Sequence, residues 1–219
     1  MKSIKAIFLF LIFLLFVQVL LTGINILQNG GRTWDGRSPD AILGVPAGEA
    51  TVEDVENLSK ADLMQLFFAT AAPEFTSMWG EYRARMVPTG VQAFVNEAYA
   101  HYVMGPGHWE AKAFFPFHAR KGWGYNLFRL EGNDLPKTLR TMKMDTSVGP
   151  SRFDGKDSFH LVYAAYNDGL NHTMRDEIRK INERLFIGVG CLAWNLDTMN
   201  PAFFLLHGDP EPWIGPDDE

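Results

Sequence analysis

Apolar side chains fill residues 6–21 with Gln18 as the single polar exception, and the run reaches Leu27 across Thr22, Gly23 and Asn25. About 20 such residues suffice for a helix to cross a bilayer core, so residues 1–27 are expected to form a transmembrane signal anchor, with residues 4–27 in the membrane. Lys2 and Lys5 precede the run. Positive flanks stay cytosolic, which puts the C-terminal domain of a single-pass protein on the translocated side. The alternative is a cleaved signal peptide and a secreted or lumenal domain. Such peptides carry an apolar core of about 7–15 residues and a small-residue cleavage site, to which Leu21-Thr22-Gly23 is a poor match.

Beyond the anchor the pattern changes several times. Residues 28–57 are rich in Gly, Pro, Asp and Arg, show no lasting period and read as a linker. Ser59 with Asp62 three positions on is a helix start, and Leu63, Leu66, Phe67 and Thr70 continue one face until Pro73. A short helix is predicted there, covering one end of the domain. From Trp79 the period falls to two: Tyr82, Ala84 and Met86 alternate with Glu81, Arg83 and Arg85, as in a half-buried strand. Pro88-Thr89-Gly90 breaks it. Residues 92–104 fit either a helix or an excursion carrying a strand. After the turn signal Gly105-Pro106-Gly107, residues 109–117, 123–130 and 139–145 read as three strands.

The second half begins with residues 158–166, where Phe159, Leu161, Tyr163 and Ala165 share one face and His160, Val162, Ala164 and Tyr166 the other. Asn167-Asp168-Gly169 is a turn of hairpin type. Residues 173–181 admit helical spacing through Met174, Ile178, Ile181 and Leu185. As a strand they put Met174, Asp176 and Ile178 on one face and Arg175, Glu177 and Arg179 on the other. Residues 185–194, whose Gly188 and Gly190 suit a bent strand, and residues 202–207 complete the set. The fold class is therefore mainly β. A single small antiparallel barrel occupies residues 58–207, with a short lead-in helix, and residues 208–219 form a mobile, acidic, Pro-rich tail.

Composition narrows the function. A chain of 219 residues holds one sizeable domain, or one domain plus an appendage, and 17 Phe with 6 Trp suit a β-rich core or an aromatic cavity. The net charge of −6 argues against a nucleic-acid partner. Cys191 stands alone, excluding an internal disulfide framework and a Cys-based zinc cluster, and reads as a small buried hydrophobe. The six histidines lack ligand spacing, so no metal site is expected. Two sequons, at Asn57 and Asn171, are compatible with a translocated domain.

Met78-Trp79-Gly80-Glu81-Tyr82-Arg83 running to Pro88-Thr89-Gly90, and then Trp109-Glu110-Ala111-Lys112-Ala113-Phe114, resemble the first half of the GXWXG-type proteins with their associated C-terminal domain of unknown function. The signature is divergent here, with Trp79 before Gly80 and Tyr82 in a tryptophan position. Tyr163 and Tyr166, Asp176-Glu177-Ile178-Arg179 and Leu185-Phe186-Ile187-Gly188 resemble its second half. The resemblance covers about residues 58–207 and implies a calycin-like, lipocalin-like barrel, tipping residues 173–181 toward strand; it implies no catalytic mechanism.

Candidate chemistry collects in that second half. Asp176 or Glu177 could serve as a general base with His160 or Tyr163 as acid, and Arg179 could fix a ligand carboxylate by a bidentate contact. The same charges could instead be a cross-strand network that fixes register. His160 inside a barrel could also ligate haem; no other cofactor is expected. Trp79, Tyr82 and Arg83 could contact the ligand or, with the Arg over a Trp face, close a barrel end by cation–π packing. Trp109, Phe114, Phe115, Phe117, Trp123, Tyr125 and Phe128 line a ligand cavity or fill a core. No nucleophile elbow, phosphate loop or dinucleotide fingerprint is present. Three readings follow: a membrane-anchored module binding a small hydrophobic molecule; an isomerase, cyclase or hydrolase acting on a lipophilic substrate in the barrel; and a packed barrel serving as a structural or assembly partner.

Overall fold

Eight antiparallel strands close into a barrel in sequence order, β8 pairing back onto β1, in the computed structural model, which describes residues 2–130 and 137–217. Met1, residues 131–136 of the barrel segment and the last two tail residues lie outside the described residues. The strands are β1 (Gly80–Val87), β2 (His108–His118), β3 (Lys121–Leu130), β4 (Lys137–Pro150), β5 (Asp157–Val162), β6 (Arg175–Asn182), β7 (Leu185–Cys191) and β8 (Ala202–Glu211). The chain is mainly β, as the period-two pattern requires. Of residues 173–181, those from Arg175 on are strand, with Asp176 and Ile178 alternating inward and Glu177 and Arg179 outward, while Thr173 closes the short helix before it.

The interior is filled by the inward set Tyr82, Phe114, Phe128, Met144, Phe159, Leu161, Ile178, Phe186 and Phe204, with neighbours from both ends. Closing eight strands leaves room for little more than side chains. At Gly188 even a methyl group has no room, since a Cβ there would run into the Phe204 ring. One end is stopped by the 3-10 turn Phe75–Ser77, whose Phe75 stacks on Phe159 with centroids 5.3 Å apart. The other is covered by an α-helix.

Among the described residues six α-helices accompany the barrel: α1 (Lys2–Leu27), α2 (Pro39–Leu43), α3 (Val52–Glu56), α4 (Lys60–Ala69), α5 (Ala93–Tyr102) and α6 (Gly169–His172). α1 has the length and hydropathy to cross a membrane over Lys5–Leu27. α4 starts at Ser59, whose Oγ accepts from Asp62 N, as the sequence indicates. Its place differs from the expected one. Leu63, Leu66 and Phe67 pack on Ile181, Ile187, Val189 and Leu205, the outward side chains of β6, β7 and β8. α4 thus clads the barrel wall, and α5 is the helix that caps an end, through Tyr99 and Ala100, with Met104 just beyond the helix packing beside them. Full burial of each large apolar side chain on α4 is worth about 1.5–3 kcal/mol, which explains why the wall is covered there.

Three further expectations are corrected. Residues 28–57 are no linker: Ser38 caps α2, a capping box at Thr51 and Asp54 starts α3, and Ile42, Leu43 and Val55 are buried. Their short apolar sets escape a period test because each helix has only five residues. The tail is docked, not mobile, over its described part. β8 runs to Glu211, Trp213 lies 4.5 Å from the Tyr125 ring, and Asp217 exchanges hydrogen bonds with the Arg140 backbone. Asn167-Asp168-Gly169 makes no two-residue hairpin; it leads into α6, with Asn167 Nδ2 donating to Tyr163 O at 2.8 Å.

Candidate functional site

A polar cluster crosses the barrel interior just beneath α5. Lys112 on β2 and Asn126 on β3 face each other across the strand pair, while Tyr163 follows β5 and Asp176 lies on β6. The two halves meet in the lumen. Lys112 Nζ donates to Asn126 Oδ1 at 3.0 Å, to Tyr163 Oη at 2.6 Å and to Asp176 Oδ2 at 2.9 Å. Those three bonds exhaust the donors of an ammonium group. Tyr163 Oη donates to Asp176 Oδ2 at 3.1 Å, and Trp109 Nε1 donates to Asn126 Oδ1 at 3.0 Å.

All of these side chains are buried, Lys112 to 2% and Asp176 to 3% exposure. Rings of Trp109, Tyr163 and Phe204 surround the ammonium at 5.1–5.3 Å, a cation–π environment. Burial pushes the Lys112 ammonium below its usual range, with the Asp176 charge opposing. Burial, then the Asp176 carboxylate, pushes the Tyr163 phenol well up. The same two causes take Tyr99 on α5 to about 12. A buried ion pair seldom adds net stability over an apolar pair of similar size, so its position needs a reason other than holding the barrel shut.

One atom of the cluster is unsatisfied. Asp176 Oδ1 is buried and has no hydrogen-bond partner. It borders a cavity of about 60 Å³, large enough for about two water molecules. Met86, Trp109, Met174, Leu192 and Phe204 form its apolar wall, and Lys112, Asp176, Asn96 and Asn195 bring polar atoms to it. Gly190 opens the space: a Cβ there would sit 3.4 Å from Asp176 Oδ1, an ordinary contact. The roof is α5, of which only Ala100 is buried. Tyr99 Oη donates to Asn171 Oδ1 at 2.8 Å and ties the helix to the β5–β6 connection.

The wall of the barrel divides the residues singled out from the sequence. Asp176, Tyr163, Trp109, Phe114 and Tyr82 project inward, and the first three meet at the cluster. Glu177 and His160 lie on the outer face, with His160 Nδ1 3.9 Å from Glu177 Oε1 and His160 Nε2 bonded to Gly149 O. The candidate acid–base residues therefore stand on opposite sides of one strand pair, Asp176 and Tyr163 inside the barrel and Glu177 and His160 outside it. Arg179, also outward and fully buried, pairs with Asp154 at 2.6 Å, donates to Phe67 O at 2.8 Å and stacks over the Phe67 ring. It fastens α4 and the β4–β5 loop to the wall. Tyr125 is outward too, donating to Glu81 Oε1 at 2.6 Å, with Arg140 on the same carboxylate at 2.7 Å. Trp79 and Trp123 are partly exposed, and Arg83 lies on the outer face of β1. Among the described residues no three His, Cys, Asp or Glu side chains group as metal ligands.

Lys112 and Asn126 were missed as site residues, although the sequence carries a signal for both. Lys112 is in phase with Phe114 and Asn126 with Phe128, so each polar side chain sits on an apolar face. The register shift between Trp109 and Ala111 then brings Trp109 onto that face as well.

No family model matches this chain, and no curated protein matches it. Among solved structures, a protein from Thermomonospora curvata is similar over 69% of this chain and 88% of its own, at 15% identity and a TM-score of 0.47.

Proposed function

We propose that this protein is a membrane-anchored barrel that binds a small, largely apolar molecule carrying a hydrogen-bond donor, in the cavity between α5 and the Lys112–Asp176 pair. The observation that carries the reading is Asp176 Oδ1, a buried carboxylate oxygen left without a partner at the edge of an apolar cavity. Leaving such an atom unpaired costs about 1–3 kcal/mol or more, and a donor on a ligand would recover it. Ligand sites usually enclose about 300–1,000 Å³, so a cavity of about 60 Å³ takes more than a fragment only when α5 lifts. Only Ala100 of that helix is fully buried, so its C-terminal part is the piece free to lift while Gln92 holds its start. The apolar α1 supplies the anchor in this reading, and the calycin-like resemblance agrees with a ligand-binding barrel.

A second reading has its own observation. Burial lowers the Lys112 pKa beside Tyr163 and Asp176, the condition under which an amine and a phenol exchange protons with a substrate. An isomerase or cyclase acting on a lipophilic substrate would use Lys112, Tyr163 and Asp176.

The test of binding is Gly190→Ala. Its methyl group enters the cavity 3.4 Å from Asp176 Oδ1 and 3.9 Å from Ala202 O, both ordinary contacts, so the fold should be retained and the ligand lost. Full-length protein extracted from its own membranes and analysed by native mass spectrometry should release a small molecule on denaturation. The Gly190→Ala and Asp176→Asn proteins should release much less. Equal release from all three, or none from any, removes this site from consideration.

A further inference from the structure

The end of α1 is fastened to the barrel by a buried polar joint. Asn25 Nδ2 donates to Asn200 Oδ1 at 2.6 Å, Asn200 Nδ2 donates to Gln92 Oε1 at 2.8 Å, and Gln92 N donates to Asn25 Oδ1 at 3.3 Å. Lys60 Nζ adds a bond to Asn25 O at 3.0 Å, and Gln92 Nε2 donates to Thr22 Oγ1 at 2.9 Å. Asn25, Gln92, Asn200 and Lys60 are all buried. Unlike a flexible tether, this joint sets where the barrel sits relative to the apolar helix.

The joint lies at the cavity end. Gln92 is the residue before α5, and Asn200 stands just before β8. Around that end large apolar side chains face outward. Phe94, Tyr102 and Val103 are 80%, 79% and 62% exposed, and Trp194, Leu196 and Met199 are between 44% and 49% exposed. Trp194 also borders the cavity. Aromatic and aliphatic side chains of this kind favour the headgroup boundary of a bilayer.

Length then decides the occupant. The apolar stretch before the first bond to the barrel, residues 6–21, has 16 residues. At about 1.5 Å per residue it reaches about 24 Å, short of the roughly 30 Å hydrocarbon core. A span of full length runs on to about Asn25, into the part of α1 that the barrel grips. The barrel surface around Gln92 and Asn200 is thereby drawn to the level of the lipid.

We infer that the α5 end of the barrel is a membrane-docking face, seated in the headgroup region of the bilayer that α1 crosses, so that the Lys112–Asp176 cavity opens toward lipid. The inference rests on the anchor reading above and deepens it: the ligand would be a membrane-dissolved molecule that reaches the cavity past α5 without crossing water.

The test uses the full chain with Cys191→Ala, reconstituted in phosphatidylcholine vesicles. A nitrobenzoxadiazole label is attached through Phe94→Cys, through Val103→Cys, or through Phe117→Cys at the β2–β3 turn on the opposite end. Vesicles containing headgroup-nitroxide lipid should quench the labels at positions 94 and 103 and leave the one at 117 bright, while aqueous iodide should do the reverse. Iodide quenching at all three sites overturns the inference. So does protection at 94 and 103 from both quenchers, which would mean that a second copy or another protein covers the face. Alkaline carbonate extraction separates the two levels: retained protein with water-exposed labels defeats the docking alone, and released protein defeats the anchor with it.

Discussion

Asp176 and Lys112 are held to each other more firmly than the barrel requires. Removing one charge leaves the other buried without its partner, at a cost of about 3–5 kcal/mol, whereas replacing both with apolar groups is often neutral or stabilising. Asp176→Asn should therefore lower the thermal midpoint of the detergent-solubilised protein sharply. Lys112→Met with Asp176→Leu should recover it and still bind no ligand. If the double variant is as unstable as the single one, the pair is structural. Lys60, in the joint at the end of α1, provides a second residue-level test. Burial pushes its pKa down to about 8, against about 10.4 for an unfolded lysine. Below pH 8 both states are protonated and the folded protein carries the whole burial penalty. Between about pH 8 and pH 10.4 the unfolded state binds more protons, so stability rises with pH. The midpoint of the wild type relative to Lys60→Gln should climb between about pH 7 and pH 10. Comparing the two proteins cancels the raised tyrosines, Tyr99 and Tyr125 at about 12, whose effect above pH 10 has the opposite sign. A pH-independent difference would mean that Lys60 is solvated.

In the proposed reading α5 roofs the ligand site, and Ala100 is its one fully buried side chain, helped by the partly buried Tyr99 ring, the Tyr99–Asn171 hydrogen bond and the His101 ring against His108. Tyr99→Phe removes a bond worth about 1 kcal/mol, so amides of Ala93–Tyr102 should exchange about fivefold faster while those of β7, buried on both faces, keep their protection. Uniform acceleration would show that α5 opens only with the whole barrel. The elements differ in how plainly the sequence announced them. β1 and β5 could be read because apolar and polar positions alternate, as Tyr82 does with Arg83 and Phe159 with His160, whereas β6 also fitted helical spacing and only the family resemblance tipped it to strand. α5 could not be read, since residues 92–104 have no continuous apolar face to bury. α2 and α3 were hidden by shortness and the docked tail by composition, because Pro and Asp mark a turn as readily as a loose end. The site was half legible. Asp176 and Tyr163 were named from charge beside aromatics, but adjacency along a strand grouped Asp176 with Glu177, and the period of two sends neighbours to opposite faces. Lys112 needed the partner across the lumen to gain its meaning.

At the scale of the whole molecule, three layers depend on one another. α4 clads the outer wall, the barrel holds the ion pair across its lumen, and α1 is fixed to the end where the cavity lies. Asn200 is the residue where these relations meet: its side chain bonds Asn25, Gln92, Lys60 and Asn195. Asn200→Leu keeps a similar volume and leaves those buried polar atoms unpaired, at about 1–3 kcal/mol for each group that cannot reach water. The apolar content of α1 is unchanged, so the variant should remain in the membrane after alkaline extraction. Its barrel should nevertheless lose its fixed orientation. Spin labels placed through Leu14→Cys and Phe117→Cys, with Cys191→Ala, should give a narrow distance distribution in the reconstituted protein with Asn200 intact and a broad one with Asn200→Leu. The cavity would then no longer be held toward lipid, and ligand retention should fall although neither Asp176 nor Gly190 has been touched. A distribution equally narrow in both proteins would show that Asn25 and Gln92 hold the joint without Asn200. Distributions equally broad in both would make α1 a tether, and would remove the geometric basis for placing the cavity at the membrane.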